Sequence, residues 1–275
     1  MAISLSRPPA FTGILDTAVM AAHAGAAVVS AAWRSPRLVV NKRAHHDVKL
    51  AADVTSEKKI LAILHAARPR DGILAEESGA HQARTSGLWI VDPLDGTVNF
   101  SHRHPHFCVS IAWAWEGVVR VGVVYDPLRN ELFSAIQDRG AFLNGVPIRV
   151  ASTTSVKRAM VAIGFGKVTP ETTCLPDMTR LAGVVQKLRI MGSAALDIAY
   201  TACGRVDAYY ESHIYFWDIC AAALVLEEAG GAAWMIPSAT PYKVRCLASS
   251  PILIGTLAGH LRFDQAHTKP CTNLR

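Results

Sequence analysis

The chain predicts a mixed α/β protein, in which helices layer onto sheets that contain antiparallel hairpins. Three observations carry this. Apolar residues Leu15, Val19, Ala22, Ala26, Val29 and Trp33 recur at spacings of three or four, the period of an amphipathic helix. Two alternating runs, 108–115 and 118–125, are joined by Glu116-Gly117 and read as a β-hairpin. Beyond about residue 150, strand-like and helix-like segments alternate.

Taken in order, a helix is predicted over 11–33, closed by Pro36. Residues 34–49 are polar and basic and read as a loop. A second helix is predicted from Asp53 to Arg68, with Ile60, Leu61 and Leu64 on its apolar face. Pro69-Arg70-Asp71-Gly72 makes a turn, and Ile73-Leu74-Ala75 a short strand that delivers Glu76. Leu88-Trp89-Ile90-Val91 is a buried strand that runs into Asp92-Pro93-Leu94-Asp95-Gly96-Thr97. After the hairpin, a third strand is predicted near 131–135 and a turn at Asn144-Gly145. Segments at 159–163, 178–188 and 206–210, a Gly192-led helix to Cys203, and a helix over 218–229 ended by Gly230-Gly231 complete the pattern.

Composition narrows the class. With 275 residues, 51% hydrophobic and only 18% charged, the chain can bury a large core and is neither disordered nor a solvated coiled coil. No repeat or low-complexity linker divides it. The net charge of +6, from 28 basic and 22 acidic residues, permits attraction to phosphorylated substrates. The bases are scattered, so they give no nucleic-acid site. Six cysteines without a C-x-x-C pair read as buried free thiols in a reducing compartment. Arg7-Pro8-Pro9 stands where a signal peptide needs an apolar run, and the longest apolar stretch, 18–33, is short for a membrane span. A cytoplasmic protein without membrane contact is expected.

The sharpest chemical signal is the segment from Trp89 to Thr97. Asp92 and Asp95 lie three apart on a turn after a buried strand, Pro93 restricts the backbone, and Gly96 lets it approach a ligand. Two hard carboxylates beside backbone amides at a helix start suit divalent-metal phosphate chemistry. Standing alone, Asp-Pro and Asp-Gly are common turn and cap residues. Asp53 and Asp218 each also begin a predicted helix, where capping alone explains them, and Glu211 sits at a strand end open to solvent.

Three blocks, in this order, together resemble the inositol monophosphatase family of magnesium-dependent, lithium-sensitive phosphatases. They are Leu74-Ala75-Glu76-Glu77-Ser78; Trp89 through Thr97 to Val98-Asn99-Phe100; and Trp217-Asp218-Ile219-Cys220-Ala221 through Glu228-Ala229-Gly230-Gly231. The resemblance spans roughly residues 12–262 and implies an αβαβα sandwich of the sugar-phosphatase type with mixed and antiparallel sheets, usually a homodimer. It implies an N-terminal lobe over 1–150 carrying the metal motifs, a C-terminal lobe over 151–265 completing the site, and a tail over 266–275.

By matching position, the resemblance implies that Glu76, Asp92 and the carbonyl of Leu94 hold one Mg²⁺, and that Asp92, Asp95 and Asp218 hold a second. Glu76 would reach a weaker third ion through water. Thr97 and Asp53 match the pair that positions the attacking water. Gly96 and Thr97 would face the phosphate; Gly192, Ala194 and Glu211 would contact the alcohol part; Lys42 and Asp47 match a loop that closes over the site. The expected reaction is hydrolysis of a small phosphate monoester, inositol 1-phosphate foremost, by a metal-activated water. Asn99 stands where the adenosine-bisphosphate branch tends to carry Lys. Histidinol phosphate is the alternative substrate. A second alternative is a binding role beside the transcription machinery, in which some bacterial relatives act. Two departures touch specificity: Lys49 stands where relatives tend to be apolar, and segment 164–180 aligns poorly.

Overall fold

The computed structural model describes residues 10–36, 40–44, 47–81, 83–165, 174–263 and 265–274; the side chains of 40–44, 47–49 and 265 lie outside the description. The elements in chain order are α1 (Phe11–Arg34), β1 (Val40–Ala44), β2 (Asp47–Leu50), α2 (Ala51–Ala67), β3 (Gly72–Ala75), β4 (Gly79–His81), β5 (Gly87–Asp95), α3 (Thr97–Ser101), β6 (Cys108–Trp115), β7 (Val118–Asp126), β8 (Glu131–Ile136), β9 (Ala141–Leu143) and β10 (Val146–Pro147). They continue with β11 (Met160–Ile163), α4 (Leu175–Ala182), β12 (Lys187–Arg189), α5 (Ala194–Ala202), β13 (Ala208–Tyr215), α6 (Phe216–Glu228), β14 (Ala232–Pro237), β15 (Lys243–Ser249), α7 (Pro251–Leu261) and β16 (Lys269–Pro270).

Two mixed sheets dominate. The first has eight strands in the order β10-β9-β8-β7-β6-β5-β3-β4, and the second six in the order β12-β11-β13-β15-β14-β16. In the first, only the β3–β5 pair is parallel. In the second, β11 runs parallel to both β12 and β13.

Helices fill the remaining layers. The outer face of the first sheet buries Trp89, Val91, Val109, Ile111 and Val121 against α1 and α2. Gly25 permits that helix pair to approach, since a Cβ there would stand 2.6 Å from Ile60 Cδ1 and 2.8 Å from Ser56 Oγ. Between the sheets lie α5 and α6; α6 is apolar on nearly every side, from Ile219 to Leu226, because both of its flanks face a sheet. Outside the second sheet, Leu253, Ile254, Leu257 and Leu261 of α7 pack with Leu181 of α4. The result is the αβαβα sandwich expected from sequence.

Three expectations are corrected. Residues 40–44 and 47–50 form an antiparallel hairpin rather than a loop; the polar, basic composition hid the pairing of Arg43 with Val48 and Ala44 with Asp47. The segment 178–188 divides into the end of α4 and the edge strand β12, with a turn at Gly183. The first helix runs 24 residues and is, by length and composition, apolar enough to cross a membrane. Its Ile14, Ala18, Ala21, Ala22 and Ala26 are buried against protein here. All six cysteines are free thiols, five of them buried.

Candidate active site

The site forms where β3 and β5 end side by side. Their parallel register pairs Ala75 with Val91, and the Glu76 N–H donates to the Val91 carbonyl at 3.1 Å. This sets Glu76 next to Asp92, where each carboxyl influences the protonation of the other. Strand alternation would send Asp92 and Asp95 to opposite faces. A bulge prevents it: Asp92 pairs with Ser110 and Asp95 with Cys108, so three steps on β5 match two on β6. The extra residue brings both carboxylates to one face. Pro93 sits inside the bulge, where its missing N–H interrupts no ladder. Asp92 Oδ1 then accepts the Leu94 N–H at 2.9 Å, which closes the turn.

Gly96 follows with φ +93°, a conformation that favours glycine, and a Cβ there would also meet the His106 carbonyl at 2.9 Å. The Thr97 hydroxyl donates to the Leu94 carbonyl at 2.9 Å. Helix α2 is tied to both acidic turns: Ser56 Oγ donates to the Pro93 carbonyl at 3.1 Å, and Glu57 Oε2 accepts the Glu77 N–H at 2.9 Å.

Asp53 and Asp218 occupy the same local position. Each is the third residue of its helix and reaches back to the residue before the helix. Asp53 Oδ2 accepts the Leu50 N–H at 2.8 Å, and Asp218 Oδ2 accepts the Tyr215 N–H at 3.3 Å. The capping role open at the sequence level is therefore real for both, and it leaves each carboxylate within the field of the others.

That field is strong. Burial raises the Asp92 carboxyl well above its usual range, and the charges of Glu76, Asp95 and Asp218 push it further. Asp218 is raised by burial and then by Glu76, Asp95 and Glu211. Burial lifts Glu76 to about 8, with repulsion from Glu77, Asp53 and Asp95 adding to it. Asp95 is raised too by burial, but four groups oppose the rise: Ser193 Oγ donates to its Oδ2 at 2.6 Å, the Ala195 N–H donates at 2.8 Å, His106 adds a favourable field, and the Ala194 backbone assists.

Such a cluster is stable only if a proton or a cation neutralises it. All its side-chain donors are hard oxygens, the kind that Mg²⁺, Ca²⁺ and Mn²⁺ take. Among the described residues no three acidic, His or Cys side chains form a ready-made cage. Magnesium does not require one, because it keeps several of its waters.

The start of α5 and strand β13 stand beside the acidic cluster, the first through the Ala195 N–H on Asp95 and the second through the charge of Glu211. Gly192 has φ +82°, and Asn99 Nδ2 donates to the carbonyls of Met191 at 2.7 Å and His106 at 2.8 Å. This pins the start of α5, and with it Ala194, against the acidic turn. Glu211 is only 5% exposed, so it is not the solvated strand end that its position suggested. Its Oε2 accepts the Tyr209 hydroxyl. The side chain of Lys42 lies outside the described residues, as do those of Asp47 and Lys49.

Sequence reasoning assigned no role to Ser193, His106, Asp197 or Tyr209. His106 Nε2 lies 3.0 Å from Asp197 Oδ1, both buried, and locks α5 to the loop after α3. Ser193 before a helix reads as a cap, and nothing local reveals that its hydroxyl is spent on a carboxylate 98 residues earlier.

A family model described as the inositol monophosphatase family matches residues 12–264. An inositol-1-monophosphatase of Synechocystis sp. is 39% identical over 220 residues, covering 79% of this chain and 77% of that one. The Nus factor SuhB of Pasteurella multocida is 38% identical over 224 residues, covering 79% and 83%. The solved inositol monophosphatase of Anabaena (Nostoc) superposes with a TM-score of 0.81 at 37% identity, over 92% of this chain and 96% of that one. The chain belongs to the inositol monophosphatase family. It is, by that membership, a phosphoric monoester hydrolase.

Proposed function

We propose that this chain hydrolyses an inositol 1-phosphate-like polyol monophosphate in a magnesium-dependent reaction. The observation that carries the reading is the convergence of Glu76, Asp92, Asp95 and Asp218 into one field of mutual repulsion. Glu76, Asp92 and the Leu94 carbonyl would hold one Mg²⁺, Asp92, Asp95 and Asp218 a second, and Glu76 a weaker third through water. When bound, magnesium neutralises the phosphate and carboxylates, lowers the pKa of water and stabilises the leaving oxygen.

The protein's own groups do the rest. Gly96, with no side chain, leaves the backbone at Gly96 and Thr97 open to the phosphate. With the Leu94 carbonyl taken up as a ligand, the Thr97 hydroxyl would donate to the Asp53 carboxylate instead, which would leave the Thr97 oxygen to accept from the attacking water. Water attacks phosphorus in line as the ester P–O bond breaks, and the leaving alkoxide takes a proton from solvent. Glu211, with Gly192 and Ala194, orients the alcohol: a buried carboxylate is an acceptor that a polyol can satisfy and a plain alkyl phosphate cannot. Lys42 belongs to the part of the chain that would close over the filled site.

The test is phosphate release from inositol 1-phosphate, histidinol phosphate, fructose 1,6-bisphosphate and adenosine 3′,5′-bisphosphate, with Mg²⁺ and with chelator. Chelator-sensitive preference for inositol 1-phosphate is expected; turnover that persists in chelator removes the metal reading. A second reading rests on the relatives that bear the name Nus factor: a transcription-associated binding role, alone or beside catalysis. Metal-independent binding to transcription factors by a catalytically dead variant would favour it. The family resemblance, and not those names, suggests a homodimer as the working form.

A further inference from the structure

Gly164 follows β11 directly and has no side chain where Glu211 has its carboxylate. A Cβ built on Gly164 would lie 1.6 Å from Glu211 Oε2, 2.2 Å from Cδ and 2.9 Å from Cγ. The glycine cannot step aside. Its N–H donates to the Tyr210 carbonyl at 2.9 Å, and the parallel pairing of Ile163 with Tyr210 holds the backbone in register. Nor does the turn demand a glycine, since Gly164 is not among those at positive φ. The reason for glycine here is the space it leaves.

The Glu211 carboxylate is bounded on another side by the Tyr209 hydroxyl, which donates to the same Oε2. Tyr209 is fully buried, so that donor does not move. Just beyond Glu211 the β13–β15 ladder shifts register: Glu211 pairs with Cys246 and Ile214 with Val244, three steps against two. Glu211 is thus the last residue of the regular run from Ala208 before the shift. Its charge is felt by Asp218, which places the carboxylate on the acidic side of the cleft.

We propose that Gly164 is a positioning residue for specificity: its bare Cα and the Tyr209 hydroxyl form a slot that sets the Glu211 carboxylate toward the leaving alcohol, so the slot selects polyhydroxylated phosphate monoesters. The proposal rests on the reading of Glu211 as a contact to that alcohol. Any side chain at 164 rotates Glu211 out of the slot. The clashing atoms are the end of a flexible side chain, so the fold survives while the carboxylate is misplaced.

A double-mutant cycle between 164 and 211 tests this, read in both stability and selectivity. The variants are Gly164→Ala, Glu211→Ala and the double. Selectivity is the ratio of kcat/KM for inositol 1-phosphate to that for p-nitrophenyl phosphate, which offers no polyol. Gly164→Ala should lower Tm by about 2–4 °C when Glu211 is present. With Glu211→Ala it should lower Tm not at all, because alanine is then free to occupy the slot. The selectivity ratio should fall about 10-fold in Gly164→Ala, the scale of one hydrogen bond to a charged group. It should fall no further in the double variant than in Glu211→Ala alone. Additive losses in Tm or in selectivity overturn the proposal, as does wild-type selectivity in Gly164→Ala. If Tm couples but Glu211→Ala keeps the wild-type ratio, the packing stands and the role of Glu211 fails, and the specificity claim fails with it. Gly164→Ser serves the same cycle should Gly164→Ala not accumulate.

Discussion

At the scale of single residues, the site depends on one extra residue in β5. The bulge between Asp92 and Asp95 converts a spacing of three into two carboxylates on one face. Asp95 is the best supported of them, with Ser193 and the start of α5 donating to it. Asp95→Asn should therefore lower turnover by about 10²–10³-fold at saturating Mg²⁺, the loss of several kcal/mol of charge stabilisation. The metal-free protein should melt no lower than the wild type, since one repelling charge is gone. Phosphate release and Tm on the same preparation check both halves, and near-normal turnover would remove Asp95 from the ligand set. Thr97 and Asp53 give a second prediction. Thr97→Ala and Asp53→Asn should each cost about 10²–10⁴-fold in kcat, and the double little more than the worse single, if the two position one water as proposed. Losses that multiply would separate their roles. The acidic residues were readable from sequence because each lies in a compact block. Ser193, His106 and Asp197 were not, because their partners lie about ninety residues away and only the packing of α5 joins them.

At the scale of elements, two of the three acids on α6 are in different circumstances. Asp218 opens the helix toward the cleft. Glu227 is near its end, where the Thr272 hydroxyl donates to Oε2 at 2.9 Å and holds the last described segment of the chain. Burial raises the Glu227 carboxyl from the usual 4.5 to about 7. A raised carboxyl favours the protonated folded state, so its contribution to stability is fully present below about 4.5 and is lost as pH rises through 7. Glu227→Gln should thus match the wild type near pH 5 and exceed it near pH 8 by about 1 kcal/mol, or about 2–4 °C in Tm. Calorimetry at the two pH values decides; a variant less stable at both would show that the charge is tolerated there. Elements with strong periodicity, α1, α2 and the β6–β7 hairpin, were legible to within a residue or two. The β1–β2 hairpin was not, because its pattern is basic and polar with no apolar alternation to mark strands. Likewise β12 is three residues long with both ends exposed, too short to carry a period.

At the scale of the whole molecule, the two sheets meet across α5 and α6, and the acidic cleft lies where their strand and helix ends converge. Glu76, Asp92 and Asp95 come from the first sheet, Asp218 from the start of α6, and Glu211 from the second sheet. The layered class was readable from the alternation of periods. The order of strands was not, because a parallel pair such as β11–β13 is set by contacts 47 residues apart, from Val161 to Ala208. On the proposed reading the cleft binds magnesium because the ion neutralises its crowded carboxylates. The most direct test is calorimetric titration of the metal-free protein with Mg²⁺ near pH 8, with phosphate release from inositol 1-phosphate followed over the same concentrations. Saturable binding, turnover that rises along the same curve, and weakening of both in Asp95→Asn are expected. Absence of Mg²⁺ binding, or full turnover before any magnesium is added, would contradict that reading.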